Sequence, residues 1–430
     1  MATAGDGSFG LLGRRLGHSW SPGIHAALGL APYELFEREP GEVDDFLLHG
    51  GWRGINVTIP YKRRAFELAD DATPEAQRLG VANTLVRRDG RILAHNTDLA
   101  GFAWMLGRFC HERLGCEPKR LLSGRKALVL GSGGASQAVQ AALADAGARV
   151  VVVSRRGEER YEGLAGRHPS AVLVVNATPV GMYPDCPASP LDEGELDRLH
   201  DLRGVLDVVY NPLRTGICLA AERLGLPCSS GLPMLVGQAL RSSELFQERL
   251  VDEELARSVE DEVMSASSNV CLIGMPGAGK TSAGRALARL LDRPFVDLDD
   301  ALRIELGTSA AELISLRGEE EFRREETKVA RSYGGRSGLV IACGGGIVTR
   351  PENYDLLHQN ASIVLLERPL DQLSSAGRPL SGARGVEALA REREPLYRRW
   401  ADLSIRCTGS AAGDARLISA LLGLRPPTAP

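Results

Sequence analysis

Short apolar runs recur along this chain, each followed by a turn and then by a stretch with helical spacing of apolar positions. Ala127 to Leu130, Val150 to Val153 and Val172 to Val175 alternate with helical stretches such as Gln137 to Ala146. That alternation is the pattern of a parallel sheet assembled from βαβ units, so the middle of the chain reads as doubly wound α/β. A second series starts at Val270-Cys271-Leu272-Ile273, continues through Pro294 to Asp299, and returns at Leu339-Val340-Ile341 and Ile363-Val364-Leu365-Leu366. It predicts a separate α/β domain with its own parallel sheet. Between the two series, Val251 to Asn269 is an acidic helical stretch that decays into Met-Ser-Ala-Ser-Ser without apolar periodicity. The first hundred residues carry strand and helix signals of their own, ending near Asp98-Leu99-Ala100-Gly101. The expected organisation is an α/β lobe over 1–100, a nucleotide-binding domain over 101–263 whose last helix packs back on the lobe, a linker at 264–268, and a final domain over 269–430. The halves share no period, so they are not repeats of one unit.

Length agrees with several cores, since 430 residues suit two or three domains. Hydrophobic residues make up 43 % and charged residues 25 %, with a net charge of -4. These values describe an ordinary globular protein and give no sign of a nucleic-acid surface. Met1 to Gly10 has no basic patch followed by an apolar run, and no window approaches the roughly 18 apolar residues of a membrane span. A cytoplasmic location with no membrane partner is the expectation. The eight cysteines form no C-x-x-C pair or Cys/His cluster, which fits reduced thiols and supplies no zinc-site spacing. Nothing in the sequence specifies an oligomeric state.

Gly274-Met275-Pro276-Gly277-Ala278-Gly279-Lys280-Thr281 fits G-x-x-x-x-G-K-[ST] and lies between an apolar strand and the helical Ser282 to Leu291. Backbone N–H groups around Gly277, Ala278, Gly279 and Ser282 can close on phosphates, Lys280 brings a point charge to the terminal phosphates, and the Thr281 hydroxyl can ligate Mg²⁺. A nucleoside triphosphate, ATP, is implied; the acceptor is not. Further on stand Asp297-Leu298-Asp299, Gly318-Glu319-Glu320-Glu321-Phe322-Arg323, Gly344-Gly345-Gly346, Gly377-Arg378-Pro379-Leu380 and Arg393-Glu394-Pro395-Leu396-Tyr397. This ordered set resembles shikimate kinase over nearly the whole of 269 to 410. The resemblance implies that Asp297 stands on the metal side and Asp299 on the acceptor hydroxyl. It gives Arg323, Gly345 and Arg393 to shikimate, and Arg378, on a lid, to the phosphates. Two forked guanidiniums on one carboxylate orient it in a way Lys does not. The stretch from Glu367 to Arg378 is shorter than many lids of that family and lacks an arginine often found there, so closure over ATP is expected to be less complete.

Gly131-Ser132-Gly133-Gly134-Ala135-Ser136 follows a strand and opens a helix, the setting of a dinucleotide fingerprint with a small third position. The strand ending at Val153 leads into Ser154-Arg155-Arg156, where an acidic ribose ligand would stand in an NAD enzyme. Guanidiniums there favour a 2′-phosphate, hence NADP(H). Glu158 and Glu159 follow closely and weaken that local field.

Around this domain lie Gly17-His18-Ser19-Trp20-Ser21-Pro22 with His25, Ile55-Asn56-Val57-Thr58-Ile59-Pro60-Tyr61-Lys62, Gly80-Val81-Ala82-Asn83-Thr84 and Asn96-Thr97-Asp98. Beyond it come Asn176-Ala177-Thr178-Pro179, Asp207-Val208-Val209-Tyr210-Asn211-Pro212 and Gly231-Leu232-Pro233-Met234-Leu235-Val236-Gly237-Gln238. From about Phe9 to Phe246 the chain resembles shikimate dehydrogenase. The resemblance implies that Ser19 and Ser21 hold the substrate carboxylate and that Lys62 is the catalytic lysine, with Asp98 beside it. Thr58, Asn83, Tyr210 and Gln238 face the substrate, while Val208 and Gly231 lie near the nicotinamide. A lysine beside a carboxylate can hand a proton to a developing alkoxide. Arg15 stands where the family often has proline, and Ser154 where it often has asparagine.

Together the resemblances imply a fusion that reduces 3-dehydroshikimate to shikimate with NADPH and phosphorylates shikimate with ATP and Mg²⁺. Two alternatives remain on the sequence: a catabolic, NAD-dependent quinate/shikimate dehydrogenase, against which Arg155-Arg156 and the fused kinase argue, and a binding protein without turnover, against which Lys62, Asp98, Lys280 and Asp299 argue.

Overall fold

The computed structural model describes residues 7–17, 19–373 and 385–425. These fall into two compact units: one gathers the described residues of 1–180, 189–210 and 220–263, the other those of 181–188, 211–219 and 264–430.

The first unit contains two sheets. Strands β1 (Ser8–Gly13), β2 (Glu34–Glu37), β3 (Trp52–Val57), β4 (Asp71–Ala72), β5 (Thr84–Arg88) and β6 (Arg91–His95) form a six-stranded sheet in the order β2-β1-β3-β5-β6-β4. β1 runs parallel to β2 and β3, whereas β5 is antiparallel to β3 and β6. β3 is buried at every position but Arg53, as a central strand covered on both faces must be. The second sheet comprises β7 (Lys126–Leu130), β8 (Arg149–Val153), β9 (Ala171–Asn176), β10 (Val205–Asp207) and β11 (Cys228–Ser229), all parallel, in the order β11-β10-β9-β7-β8. The chain leaves β7 for β8 on one side and returns to β9 on the other, which opens a crevice at the carboxyl ends of β7 and β9.

Thr97–Leu114 is one continuous helix, capped by the Asn96 side chain at its start and ended by left-handed Gly115. The boundary expected at 100/101 therefore falls inside a helix that buries Gly101, Phe102, Met105 and Phe109. Leu232–Gln247 lies against it. A Cβ on Gly101 would stand 2.8 Å from the Gln238 nitrogen, and one on Gly237 would stand 2.9 Å from the Trp104 ring. Two glycines let the helices touch. The far end of Leu232–Gln247 reaches back to β1, where the Phe246 and Phe9 rings are 5.4 Å apart.

The second unit has one parallel sheet of β12 (Asn269–Ile273), β13 (Phe295–Asp297), β14 (Val340–Ala342), β15 (Ala361–Glu367) and β16 (Leu403–Arg406), ordered β13-β14-β12-β15-β16. Alternate residues of β12 enter opposite cores: Cys271 and Ile273 pack with Phe322 and Tyr397, while Val270 and Leu272 pack with Leu287 and Ile418. That is the two-residue period of a strand with both faces covered.

The expected linker is corrected as well. Residues 264–267 are the last turn of a helix, Glu253–Ser267, not a structureless connection. Ala256, Val259, Glu260 and Ser267 are buried along one side of it, and Arg108 meets Glu260 at 2.5 Å. The spacing is helical, but its members are small, charged or polar, so it gave no apolar signal.

Candidate functional sites

In the first unit, β3 ends in Asn56-Val57, and the turn beyond it places Lys62 at the start of a helix, Lys62–Glu67. Asp98 lies in the first turn of Thr97–Leu114. The two elements bring Lys62 Nζ to 2.6 Å from Asp98 Oδ2, with side chains 19 % and 10 % exposed. Asn83, just before β5, donates from Nδ2 to Asp98 Oδ1 at 3.0 Å and to Gln238 Oε1 at 3.2 Å. Four residues far apart in sequence thus form one hydrogen-bonded network, and Gln238 is in reach because Gly101 and Gly237 let its helix approach. An ammonium held by a carboxylate whose other oxygen is also satisfied is fixed in direction, as a proton donor must be.

Ser19 and Ser21 sit at the entry to a short helix, Ser21–Ala27, where the Ser21 N–H donates to Ser19 Oγ at 3.3 Å. Trp20 lies between them, and its ring is 5.0 Å from that of Tyr210. Burial pushes the Tyr210 hydroxyl above its ordinary range. His25 anchors this helix: its ring stacks on Tyr33 at 4.1 Å, Nδ1 is 2.8 Å from Ser243 Oγ, and burial lowers its pKa to about 3. A neutral core histidine is its role. Thr58 is half-buried beyond β3, its methyl close to Gly13.

The dinucleotide fingerprint lies in the crevice of the second sheet. Gly131 has φ of 102° and a Cβ there would stand 2.7 Å from Thr178, so only glycine fits. Gly133 precedes a helix, Gly134–Asp145, whose first turn includes Ala135 and which has no side-chain cap. Its N–H groups stay available to a phosphate. Val208 and Gly231 touch, since a Cβ on Gly231 would meet the Val208 carbonyl at 2.1 Å. Ser154 is half-buried, and Arg155 and Arg156 are exposed beyond β8. Glu159, the acid that complicates their field, instead pairs with Arg167 at 3.0 Å, which holds its carboxyl below the usual range.

In the second unit a cavity of about 450 Å³ gathers most of the kinase set, lined by Pro276, Gly277, Gly279 to Ser282, Asp297, Asp299, Arg323, Gly344 to Gly346, Arg368 and Arg393, with Ala278 fully buried behind it. Gly274, Gly277 and Gly279 all have positive φ, and Gly279 leads into an uncapped helix, Lys280–Leu291. Lys280 Nζ donates to the carbonyls of Gly274 at 2.8 Å and Met275 at 3.0 Å. Thr281 Oγ1 donates to Asp297 Oδ2 at 2.7 Å. Burial, then the Asp297 charge, raises the Asp299 pKa against the pull of Lys280 and Arg323.

Arg323 is held by Glu326 at 2.7 Å and Glu319 at 3.3 Å. Arg393 donates from Nη1 to the Gly345 carbonyl at 3.1 Å, and the Tyr397 hydroxyl donates to that same oxygen. The Nε and Nη2 of Arg393 are buried without a protein acceptor, a donor pair suited to a carboxylate. Gly345 thus positions Arg393 through its carbonyl, and a Cβ on Gly346 would collide with the Arg323 guanidinium at 2.1 Å. Arg378 and the lid around it lie outside the described residues.

Sequence reading missed Glu326, Arg368 and Tyr397. Glu326 had a signal in its three-residue helical spacing from Arg323, and Arg368 in its place just beyond a parallel strand. Tyr397 stood inside a quoted motif without a role.

Two family models match: shikimate kinase over residues 276–421 and the shikimate dehydrogenase substrate binding domain over 11–85. A shikimate dehydrogenase (NADP(+)) of Clostridium beijerinckii is 32 % identical over 270 residues, 58 % of this chain and 96 % of that protein. Among solved structures, shikimate dehydrogenase 1 of Peptoclostridium difficile superposes with a TM-score of 0.52 at 31 % identity, covering 60 % of this chain and 98 % of its own. Shikimate 5-dehydrogenase of Thermus thermophilus, in complex with NADP(H) and shikimate, gives 0.51 at 33 % identity, covering 60 % and 99 %.

Proposed function

This chain belongs to the shikimate dehydrogenase family in its N-terminal part and carries a shikimate kinase domain in its C-terminal part, and on that footing we propose how its residues divide the two reactions. The protein is a bifunctional enzyme of the shikimate pathway. Its first reaction reduces 3-dehydroshikimate to shikimate with NADPH, and its second moves the γ-phosphoryl group of ATP to shikimate. The observation that carries the division is the presence, in one chain, of the fixed Lys62–Asp98 pair and of Asp299 in the same cavity as Lys280.

In the reductase, Ser19 and Ser21 hold the substrate carboxylate, Asn83, Thr58 and Gln238 the ring hydroxyls, and Tyr210 closes one side. NADPH, when bound, supplies the hydride to the ketone carbon. Lys62 gives its proton to the oxygen as charge develops there, and Asp98 keeps the ammonium aimed. The uncapped helix after Gly133 fits a pyrophosphate, Val208 and Gly231 flank the nicotinamide, and Ser154, Arg155 and Arg156 fit a 2′-phosphate. In the kinase, Asp299 accepts the proton of the attacking hydroxyl, Arg323 and Arg393 orient the carboxylate, and Lys280 with Arg378 meets the phosphates. Thr281 and Asp297 would hold Mg²⁺, a cation that takes few protein oxygens and completes its shell with phosphate and water. We place both reactions in the cytoplasm.

The test supplies the full chain with 3-dehydroshikimate, NADPH, ATP and Mg²⁺, and follows NADPH loss and shikimate 3-phosphate together. Both are expected, and chelating Mg²⁺ should stop only the second. Absence of either product with full Mg²⁺ would remove that half of the assignment.

A further inference from the structure

Arg368 stands at the carboxyl end of β15, the strand beside β12. The phosphate-binding loop leaves β12 so close to β15 that a Cβ on Gly274 would stand 2.7 Å from the Leu366 carbonyl. Two residues after Leu366 stands Arg368. The Arg368 Nη2 lies 3.6 Å from where a Cβ on Gly279 would be, with its Cζ at 4.0 Å. Arg368 also lines the 450 Å³ cavity and reaches the Cys407 sulfur, which itself lies 3.5 Å from the Ala278 carbonyl. The guanidinium is thus held between the loop and the segment after β16.

The cations lining this cavity differ in what already occupies them. Arg323 is neutralised by Glu319 and Glu326, and Arg393 is tied to the Gly345 carbonyl on the acceptor side. Lys280 follows Gly279 at the start of the helix, and the Arg368 guanidinium lies beside Gly279 from the end of β15. In a loop of this kind the N–H groups close on the diphosphate part of a nucleotide while the lysine reaches the outermost phosphates. A guanidinium beside Gly279 therefore meets diphosphate oxygens, and its planar fork can take two of them.

Building on the kinase assignment, we propose that Arg368 is a nucleotide-binding residue that contacts the β-phosphate of the bound nucleoside di- or triphosphate, from the sheet side of the loop. It supplies charge independently of Arg378. Its contribution belongs to every nucleotide that carries a β-phosphate and to none that lacks it. Shikimate binding, on the far side of Gly345, does not depend on it.

Calorimetric titration of full-length protein with ADP and with AMP tests this, using the parent, Arg368→Met and Arg368→Lys. The side chain is only half-buried, and the calorimetric unfolding transition of the second unit, which carries Arg368, measured in parallel for each variant, reports that this unit is folded. Arg368→Met is expected to weaken ADP by roughly tenfold or more, the effect of losing a charge-assisted contact. AMP binding and the KM for shikimate should stay within about twofold, and Arg368→Lys should recover part of the loss. ADP binding by Arg368→Met equal to the parent's overturns the proposal, as does a loss that affects AMP equally. A parent that binds no ADP overturns the kinase assignment itself and the proposal with it, so the two failures are told apart by the parent titration.

Discussion

Replacing Lys62 by methionine tests the reductase most directly, because the proposed mechanism gives that side chain two separable effects. The first is local stability. Its ammonium stands 2.6 Å from a carboxylate that is 10 % exposed, and without it Asp98 keeps, among the described residues, its bond from Asn83. Leaving a largely desolvated carboxylate short of a partner costs about 1–3 kcal/mol, below the ~3–5 kcal/mol of fully buried pairs because Lys62 is itself 19 % exposed. The second effect is chemical. A positioned general acid contributes about 10²–10⁴ in rate, or roughly 3–6 kcal/mol of barrier. Turnover should therefore fall by at least about a hundredfold while the protein stays folded. The assay is steady-state NADPH consumption at saturating 3-dehydroshikimate, with NADPH affinity measured by direct titration and the calorimetric unfolding transition of the first unit as the check on folding. NADPH affinity and kinase turnover should persist. A Lys62→Met protein that reduces substrate within about threefold of the parent would refute the assignment of the proton to Lys62.

Arg155→Ala should raise the KM for NADPH roughly five- to tenfold and leave that for NADH unchanged, because its guanidinium would meet only the 2′-phosphate; equal losses with both cofactors count against that contact. Asp299→Asn should abolish phosphoryl transfer yet melt at a higher temperature at neutral pH. The folded carboxyl has its pKa raised by burial from 3.8, so its ionised form destabilises the fold; the gain should shrink as pH falls through the raised value and vanish below 3.8. A gain independent of pH, followed by thermal denaturation across that window, would contradict the burial argument. A fragment of residues 264–430 lacks 181–188 and 211–219, which belong to the same compact unit, and it loses the Arg214 N–H to Gln359 carbonyl bond at 2.8 Å and the Leu213 N–H to Asn360 bond at 3.0 Å. Two such bonds are worth about 2 kcal/mol, so its Tm should fall by roughly 4–8 °C when 181–219 is absent; an unchanged second transition in calorimetry would show that the unit is complete without them.

What the sequence made legible depended on whether a residue's role is written in its neighbours. Gly131 and Gly279 could be read because a positive φ at a strand-to-helix turn leaves one side chain choice, and Lys62 because a long block surrounds it. The strands at 127–130 and 270–273 were legible for a related reason, since buried parallel strands are continuous apolar runs, and the half-buried edge strand at 150–153 was legible as a run of four valines. Glu326 was not, because an acid in a helix full of acids looks solvated until the fold buries it against Arg323. Residues 264–267 concealed their helix behind small polar side chains. The break expected at 100/101 failed because Asn96 caps a helix that carries Asp98 into the site and continues into the next layer. Segments 181–188 and 211–219 join the second unit through contacts that include backbone and amide bonds and the Arg214 guanidinium on the His358 and Ala361 carbonyls, and no apolar pattern announces them.

Gly101 and Gly237 act as a ruler between two helices. The distance they set is what brings Gln238 to Asn83, and Asn83 to Asp98, so the amides proposed to bind the hydroxyls and the pair proposed to give the proton share one calibration. Enlarging either glycine by a methyl group would leave every catalytic side chain present while shifting one set against the other. A displacement of about 1 Å at reacting groups is worth roughly a hundredfold in rate. Two residues with no functional group are therefore as exacting for the reductase as those that touch its substrate, and any attempt to redesign its specificity has to begin by keeping them.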